Sequence, residues 1–103
     1  MPNIPIRIEN MRNYKGKGIR IDRRSILGNP FPMKKESERN EVIKKYKDWL
    51  MDKSFDSPEW KEIKRLRKIY EEKGTLILKC WCSPKACHGE IIKNIIENED
   101  WWA

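Results

Sequence analysis

The segment Cys80-Trp81-Cys82-Ser83-Pro84-Lys85-Ala86-Cys87-His88-Gly89 gathers all three cysteines and the only histidine of the chain into ten residues. Thiol and imidazole are suited to nucleophilic attack, proton transfer near neutral pH and metal binding. Three chemistries are open to them. As zinc ligands, Cys80, Cys82, Cys87 and His88 have the right donor types. Cys-x-Cys is tighter than the usual ligand spacing, however, and adjacent helical residues diverge by about 100°. Zinc is therefore an alternative and no other cofactor is expected. As a ligand-contacting or catalytic site, Cys87 and His88 fall where a helix begins. A helix N-terminus lowers a thiol pKa and offers backbone N–H groups to an anion, and His88 is the candidate acid or base. As packing, Cys87 lies four residues before Ile91 and eight before Ile95, on the apolar stripe of the same helix, and His88 would satisfy a carbonyl.

A second segment, Arg23-Arg24-Ser25-Ile26-Leu27-Gly28-Asn29-Pro30-Phe31, runs from two cations into a rigid turn. Arg23 and Arg24 can bind phosphate bidentately. Ser25 lies beside them, Gly28 permits close backbone approach, and Asn29, restricted by Pro30, presents its amide in one direction. Phe31 either stacks on a base or anchors the loop. A purely structural turn with solvated arginines carries equal weight.

The elements that must position these segments are legible from periodicity. Ile4, Ile6 and Ile8 alternate with polar or proline neighbours, the pattern of a half-buried strand. Gly18 to Asp22 reads as a short second strand. A helix is expected from about Glu36 to Met51, with Val42, Ile43, Tyr46, Trp49 and Leu50 on one stripe. Ser57-Pro58-Glu59 is a helix start with cap, proline and acid in order, and Gly74 is its stop. Trp60, Ile63, Leu66, Ile69 and Tyr70 form the buried face between them. Thr75 to Cys82 is nearly continuous in apolar residues, which predicts a central strand covered on both faces. There Cys80 and Cys82 share one face while Trp81 points away. A third helix is expected from about Ala86 to Asn98, with Ile91, Ile92, Ile95 and Ile96 inside. The order β-β-α-α-β-α predicts a small Rossmann-like α/β sandwich with three helices on a short, mostly parallel sheet. In such sheets the strand ends and the following helix starts are where ligands bind.

Size and charge set the outer bounds. The 103 residues suffice for one domain, residues 1–103, of which 99–103 could be a flexible tail. The hydrophobic and charged shares are both 38%, polar for a globular chain, yet five tryptophans and the isoleucine-rich segments are enough to drive collapse. The adjacent Trp101 and Trp102 suit either packing or a contact between copies in a homodimer. The net charge of +7 is confined to residues 1–35, where nine Lys/Arg face only Glu9 and Asp22. A localised positive field favours phosphates, nucleotides or a nucleic-acid backbone as partners. No apolar run approaches the roughly 20 residues of a membrane helix. The Met1–Pro5 stretch also lacks the layout of a signal peptide. The expected location is the cytoplasm, where three cysteines within eight residues are thiols or ligands rather than a disulfide framework.

Taken together, the two segments resemble the family called domain of unknown function 4326. The resemblance rests on Arg24-Ser25-Ile26-Leu27-Gly28-Asn29-Pro30-Phe31, on Glu41-Val42-Ile43, Tyr46 and Trp49-Leu50, and on Leu78-Lys79-Cys80-Trp81-Cys82-Ser83-Pro84 followed by Cys87-His88-Gly89. It covers almost the whole chain. Where the family pattern has a glycine before the loop arginine, this chain reads Ile21-Asp22-Arg23-Arg24, and Asp22 is placed to pair with an arginine. The strand, proline turn and Cys-His helix start are also similar to domain of unknown function 488. Both resemblances imply a Rossmann-like unit, a fold type that often handles nucleotides, and neither implies an activity.

The favoured expectation is therefore a nucleotide-binding or nucleotide-processing domain. Phosphate would lie on the arginines and the helix N-terminus, with Phe31 or Trp81 against a base. No paired carboxylates, Ser-His-Asp order or phosphate-cradling glycine loop supports a named reaction, so whether it is an enzyme stays open. A nucleic-acid binder using the basic N-terminal third, and a zinc-stabilised interaction module, are the alternatives.

Overall fold

Alternating side chains make the first strand and set which way it faces: Ile6 is fully buried, and the opposite-facing Arg7 is exposed. The computed structural model describes residues 6–12, 15–22, 24–81 and 87–102. Over these, strand β1 (Ile6–Asn10) and strand β2 (Ile19–Arg20) precede helices α1 (Arg39–Met51) and α2 (Pro58–Lys73). Strand β3 (Leu76–Cys80) and helix α3 (Gly89–Glu97) follow. Short 3-10 turns at Glu36–Glu38 and Glu99–Trp101 precede α1 and follow α3. Of the expected positions, Ile4, Arg23, Cys82 and Ala86 lie outside the described residues.

The strand order is β1-β3-β2, and both pairings are parallel, so the chain is a small α/β fold with the last strand in the middle. The register pairs Ile6 with Leu76, Asn10 with Cys80 and Arg20 with Lys79. All three strands therefore end at one edge of the sheet. The ladder continues one step beyond each outer strand, with Met11 N–H on Cys80 O (2.8 Å) and Ile21 N–H on Lys79 O (2.9 Å).

β3 departs from the expected cover on both faces. Leu76, Leu78 and Cys80 are buried, but the alternate residues Ile77 and Lys79 are only half-buried. Part of their cover is the β1–β2 connection: a Cβ at Gly18 would come within 2.8 Å of the Lys79 side chain and 3.1 Å of Ile77. A side chain at this position would have to displace those of Lys79 and Ile77. β2 is correspondingly shorter than the Gly18–Asp22 span expected from the sequence, because Gly18 is packed flat on β3 and Ile21-Asp22 already turn toward the next loop.

The helices follow their caps. Ser57 Oγ accepts from Trp60 N–H (3.3 Å), Pro58 opens α2, and Gly74 closes it at φ 72°, donating to Tyr70 O (2.8 Å). Trp60, Ile63 and Leu66 are buried as the stripe predicts, and the Trp60 indole N–H donates to Leu50 O (2.9 Å), tying α2 to the end of α1. The stripe also carries a cation. Arg67 is buried, donates to Ile96 O (2.6 Å), and reaches Glu71 and Glu99 at 2.8 and 2.9 Å. Two residues near the C-terminus, Trp101 and Trp102, contact the helices. Trp102 Nε1 donates to Ile95 O (3.0 Å), and the Trp101 ring lies 5.3 Å from that of Trp60. Among the described residues, no helix is long and apolar enough to cross a membrane.

Candidate functional site

Because the strands end together, the residues that follow them meet at one edge: Asp22 after β2, Trp81 after β3, and Cys87-His88 just before α3. α1 and the loop before it close the opposite side. Between them lies a cavity of about 510 Å³. Among the described residues its polar lining is Arg20, Asp22, Arg24, Asn29, Arg39 and His88. Its apolar lining includes Phe31, Met33, Val42, Ile43 and Trp81, with the sulfurs of Cys80 and Cys87. This is the size and mixture of an ordinary small-molecule site.

Asp22 organises one wall. It is only 6% exposed, and Arg20 grips both its oxygens, Nε to Oδ1 and Nη2 to Oδ2, each at 2.7 Å. The Trp81 indole N–H adds a third bond to Oδ2 at 3.0 Å. The Arg20 guanidinium holds the Asp22 carboxyl below the usual carboxylate range, with burial opposing and the Trp81 N–H assisting. Trp81, itself 52% exposed, is thereby pinned by its polar edge with its ring at the cavity wall. Asp22 does form an ion pair with an arginine, as its sequence position allowed; among the described residues that arginine is Arg20, and Arg24 contributes a backbone hydrogen bond to the carboxylate.

Arg24 is exposed, lines the cavity, and makes no side-chain hydrogen bond or ion pair among the described residues. Arg39, by contrast, is paired with Glu36 (2.7 Å). Ser25 does not line the cavity. Its Oγ donates to Asp22 O (2.8 Å) and its N–H to the same oxygen (2.9 Å), so it shapes the turn. Gly28 likewise serves the turn, donating to Ser25 O (3.0 Å), and has no positive φ. Asn29 and Phe31 do line the cavity. Asn29 Oδ1 accepts from Phe31 N–H (2.8 Å), which leaves the amide nitrogen as the donor end of that side chain. Phe31 packs edge-on to Trp49 at 6.4 Å, so the loop is anchored to α1.

The Cys-His segment is more engaged than its sequence suggested. His88 is 7% exposed, its Nε2 sits 2.5 Å from Ile21 O, and its ring meets Tyr46 at 4.9 Å. A carbonyl can only accept, so Nε2 carries the proton. Cys87 and Cys80 are buried with their sulfurs 3.3 Å apart. The start of α3 is closed by its own chain: Gly89 N–H goes to Cys87 Sγ (3.3 Å), Glu90 N–H to Cys87 O and Ile91 N–H to His88 O (both 3.0 Å). These first amides are thus taken up by Cys87 and His88. Among the described residues no group of three or more His, Cys, Asp or Glu is placed to hold a metal ion. Of the four residues weighed for zinc, Cys80 and Cys87 are adjacent, His88 is directed at Ile21 O, and Cys82 lies outside the described residues.

Sequence reasoning missed Arg20 and Arg39 as site residues. The signal was there for Arg39, which shares the i, i+3, i+4, i+7 face of Val42, Ile43 and Tyr46. Nothing local marked Arg20, because its place follows from the pairing of β2 with β3.

No curated protein and no solved structure matches this chain. A family model does: residues 5–98 match Domain of unknown function (DUF4326), and the chain belongs to that family.

Proposed function

For this family member we propose that the cavity at the strand ends binds a small phosphorylated ligand of the nucleotide class. The family's name supplies no activity, so the reading rests on the site. The observation that carries it is one cavity of about 510 Å³ in which Arg24, with no side-chain partner among the described residues, lies with the paired Arg20 and Arg39 and with Phe31 and Trp81. Guanidinium groups recognise phosphate and aromatic faces recognise bases. The excess charge of the N-terminal third would steer anions toward it, and the cytoplasm would supply them. The reading is of binding, with no reaction attached, since among the described residues no pair is arranged as nucleophile and base.

Nucleic-acid binding is the competing reading, favoured by exposed Arg12, Lys15 and Lys17 beside the β1–β2 connection. The two separate by salt: backbone binding weakens steeply with ionic strength, whereas a cavity ligand depends on few charges. The deciding experiment is native mass spectrometry of the protein incubated with nucleotides and sugar phosphates. A one-to-one adduct is expected in the wild type and its loss in Arg24→Glu. Absence of any adduct across the panel, with salt-sensitive binding of single-stranded nucleic acid instead, would reverse the preference.

A further inference from the structure

We infer that the ligand is a nucleoside monophosphate, discriminated from the corresponding di- and triphosphates by the shortage of unpaired positive charge among the described residues of the cavity. This rests on the reading of the cavity as a nucleotide site and specifies which nucleotides it accepts.

Two of the three arginines that line the cavity have their charge matched from within the chain. Arg20 is held bidentately by Asp22, and Arg39 is held by Glu36 through Nε at 2.8 Å and Nη2 at 2.7 Å. Arg24 alone of the three has no carboxylate partner among the described residues. One guanidinium fork matches one phosphate group. Among the described residues of the lining, a second and third phosphate would add negative charge near the Asp22 carboxylate and meet no further arginine without a carboxylate partner. Sites for polyphosphates commonly solve this with a run of backbone N–H groups at a helix start. Here that device is withheld, because Gly89, Glu90 and Ile91 give their N–H groups to Cys87 and His88. His88 adds no donor from Nε2, which is committed to Ile21 O.

The rest of the lining suits a nucleoside better than a bare sugar phosphate. Trp81 offers an exposed ring whose orientation is set by its indole bond to Asp22. Met33, Val42 and Ile43 provide apolar surface within the same cavity. The nitrogen end of Asn29, whose oxygen is committed to Phe31 N–H, is suited to a ring carbonyl. Base stacking on an aromatic face and one phosphate on one arginine account for the whole recognition.

The test is isothermal titration of the intact chain with the 5′-monophosphates of the four common ribonucleosides, their triphosphates, the free nucleosides and inorganic phosphate. At least one monophosphate should bind about tenfold or more tightly than its own triphosphate and its own nucleoside. Arg24→Gln should lower that monophosphate's affinity about tenfold or more and leave the nucleoside's unchanged, the loss expected for one charge-assisted contact. Arg24 is exposed and unpaired, so this variant keeps the fold, which circular dichroism verifies. Trp81→Leu should weaken both monophosphate and nucleoside. A triphosphate that binds as tightly as its monophosphate overturns this inference and leaves the nucleotide site standing. Binding by none of the probes overturns both.

Discussion

Asp22→Asn removes one charge from the wall of the cavity while keeping the shape of the side chain. In the wild type the carboxylate accepts two bonds from Arg20 at 2.7 Å and one from Trp81 at 3.0 Å. The amide can keep its oxygen toward Trp81 and Arg20 Nη2, but its NH2 then faces the Nε donor of Arg20. Bonds to charged groups are worth about 1.5–3 kcal/mol each when buried. Arg20 is half-exposed and water will take over part of its solvation, so the ion pair itself contributes little. The unmet donor pair adds to that, and the expected loss is about 2 kcal/mol. For a chain of this size it corresponds to a fall in Tm of roughly 10 °C. The pH dependence provides a second check. The folded-state pKa of Asp22 is lowered from its ordinary 3.8, chiefly by Arg20. Its contribution is therefore complete above the ordinary value and disappears as pH falls through the lower folded one. Urea unfolding followed by tryptophan emission should show a constant gap between wild type and variant from about pH 7 down to about pH 5, closing below the ordinary carboxylate range. A variant as stable as wild type at neutral pH refutes the role given to Asp22. So does a gap that persists undiminished at about pH 2.

Arg67→Ala should cost about 2–3 kcal/mol in urea unfolding, since it strands Ile96 O and loses a packed stem, while Arg67→Lys should fall between; equal stability of all three would show that the buried guanidinium contributes nothing. Gly89→Ala places a methyl 2.9 Å from Ile21 Cδ1 and 3.2 Å from Ile8 Cδ1, so overpacking should cost roughly 1–2 kcal/mol in the same assay, and a stabilised variant would contradict the tight contact. The Tyr46 phenol donates to Leu27 O (2.8 Å), and burial, with Glu59 and Cys87 adding to it, pushes its pKa above the usual tyrosine value. Its share of stability is present below about pH 10 and lost as pH rises beyond that into the folded-state range. Ultraviolet titration should therefore give wild type and Tyr46→Phe the same phenolate signal up to about pH 11, and an extra ionisation near pH 10 in the wild type would disprove the burial effect.

The elements were legible where a local signal and the tertiary environment agree. Ser57-Pro58-Glu59 and Gly74 bound α2 as their chemistry requires, and the isoleucines of α3 face the core. Cys87 was placed on the buried stripe by its spacing to Ile91 and is buried. The site was only half legible. Arg24, Asn29, Phe31, Trp81, Cys87 and His88 do surround one cavity. Ser25 and Gly28 serve the turn instead, because a short loop spends its own polar groups on itself before it can spend them on a ligand. The amides at the start of α3 likewise bond within their own segment. Arg20 and its pairing with Asp22 depend on the end of β2 lying against β3, a contact between residues far apart in the chain that no local pattern encodes.

The position of β3 has a consequence for the order in which the molecule can be made. Ile6 pairs with Leu76 and Ile19 with Leu78, so β1 and β2 have no strand partner until the chain beyond residue 75 has been synthesised. A nascent chain emerging from the ribosome can wind α1 and α2 from local contacts, but its two early strands wait with open edges. Cys80, Trp81, Cys87 and His88, which line one side of the cavity, arrive with or after the strand that closes the sheet. A ligand in that cavity would therefore stabilise only a chain synthesised past His88, and would give no help to one stalled before it.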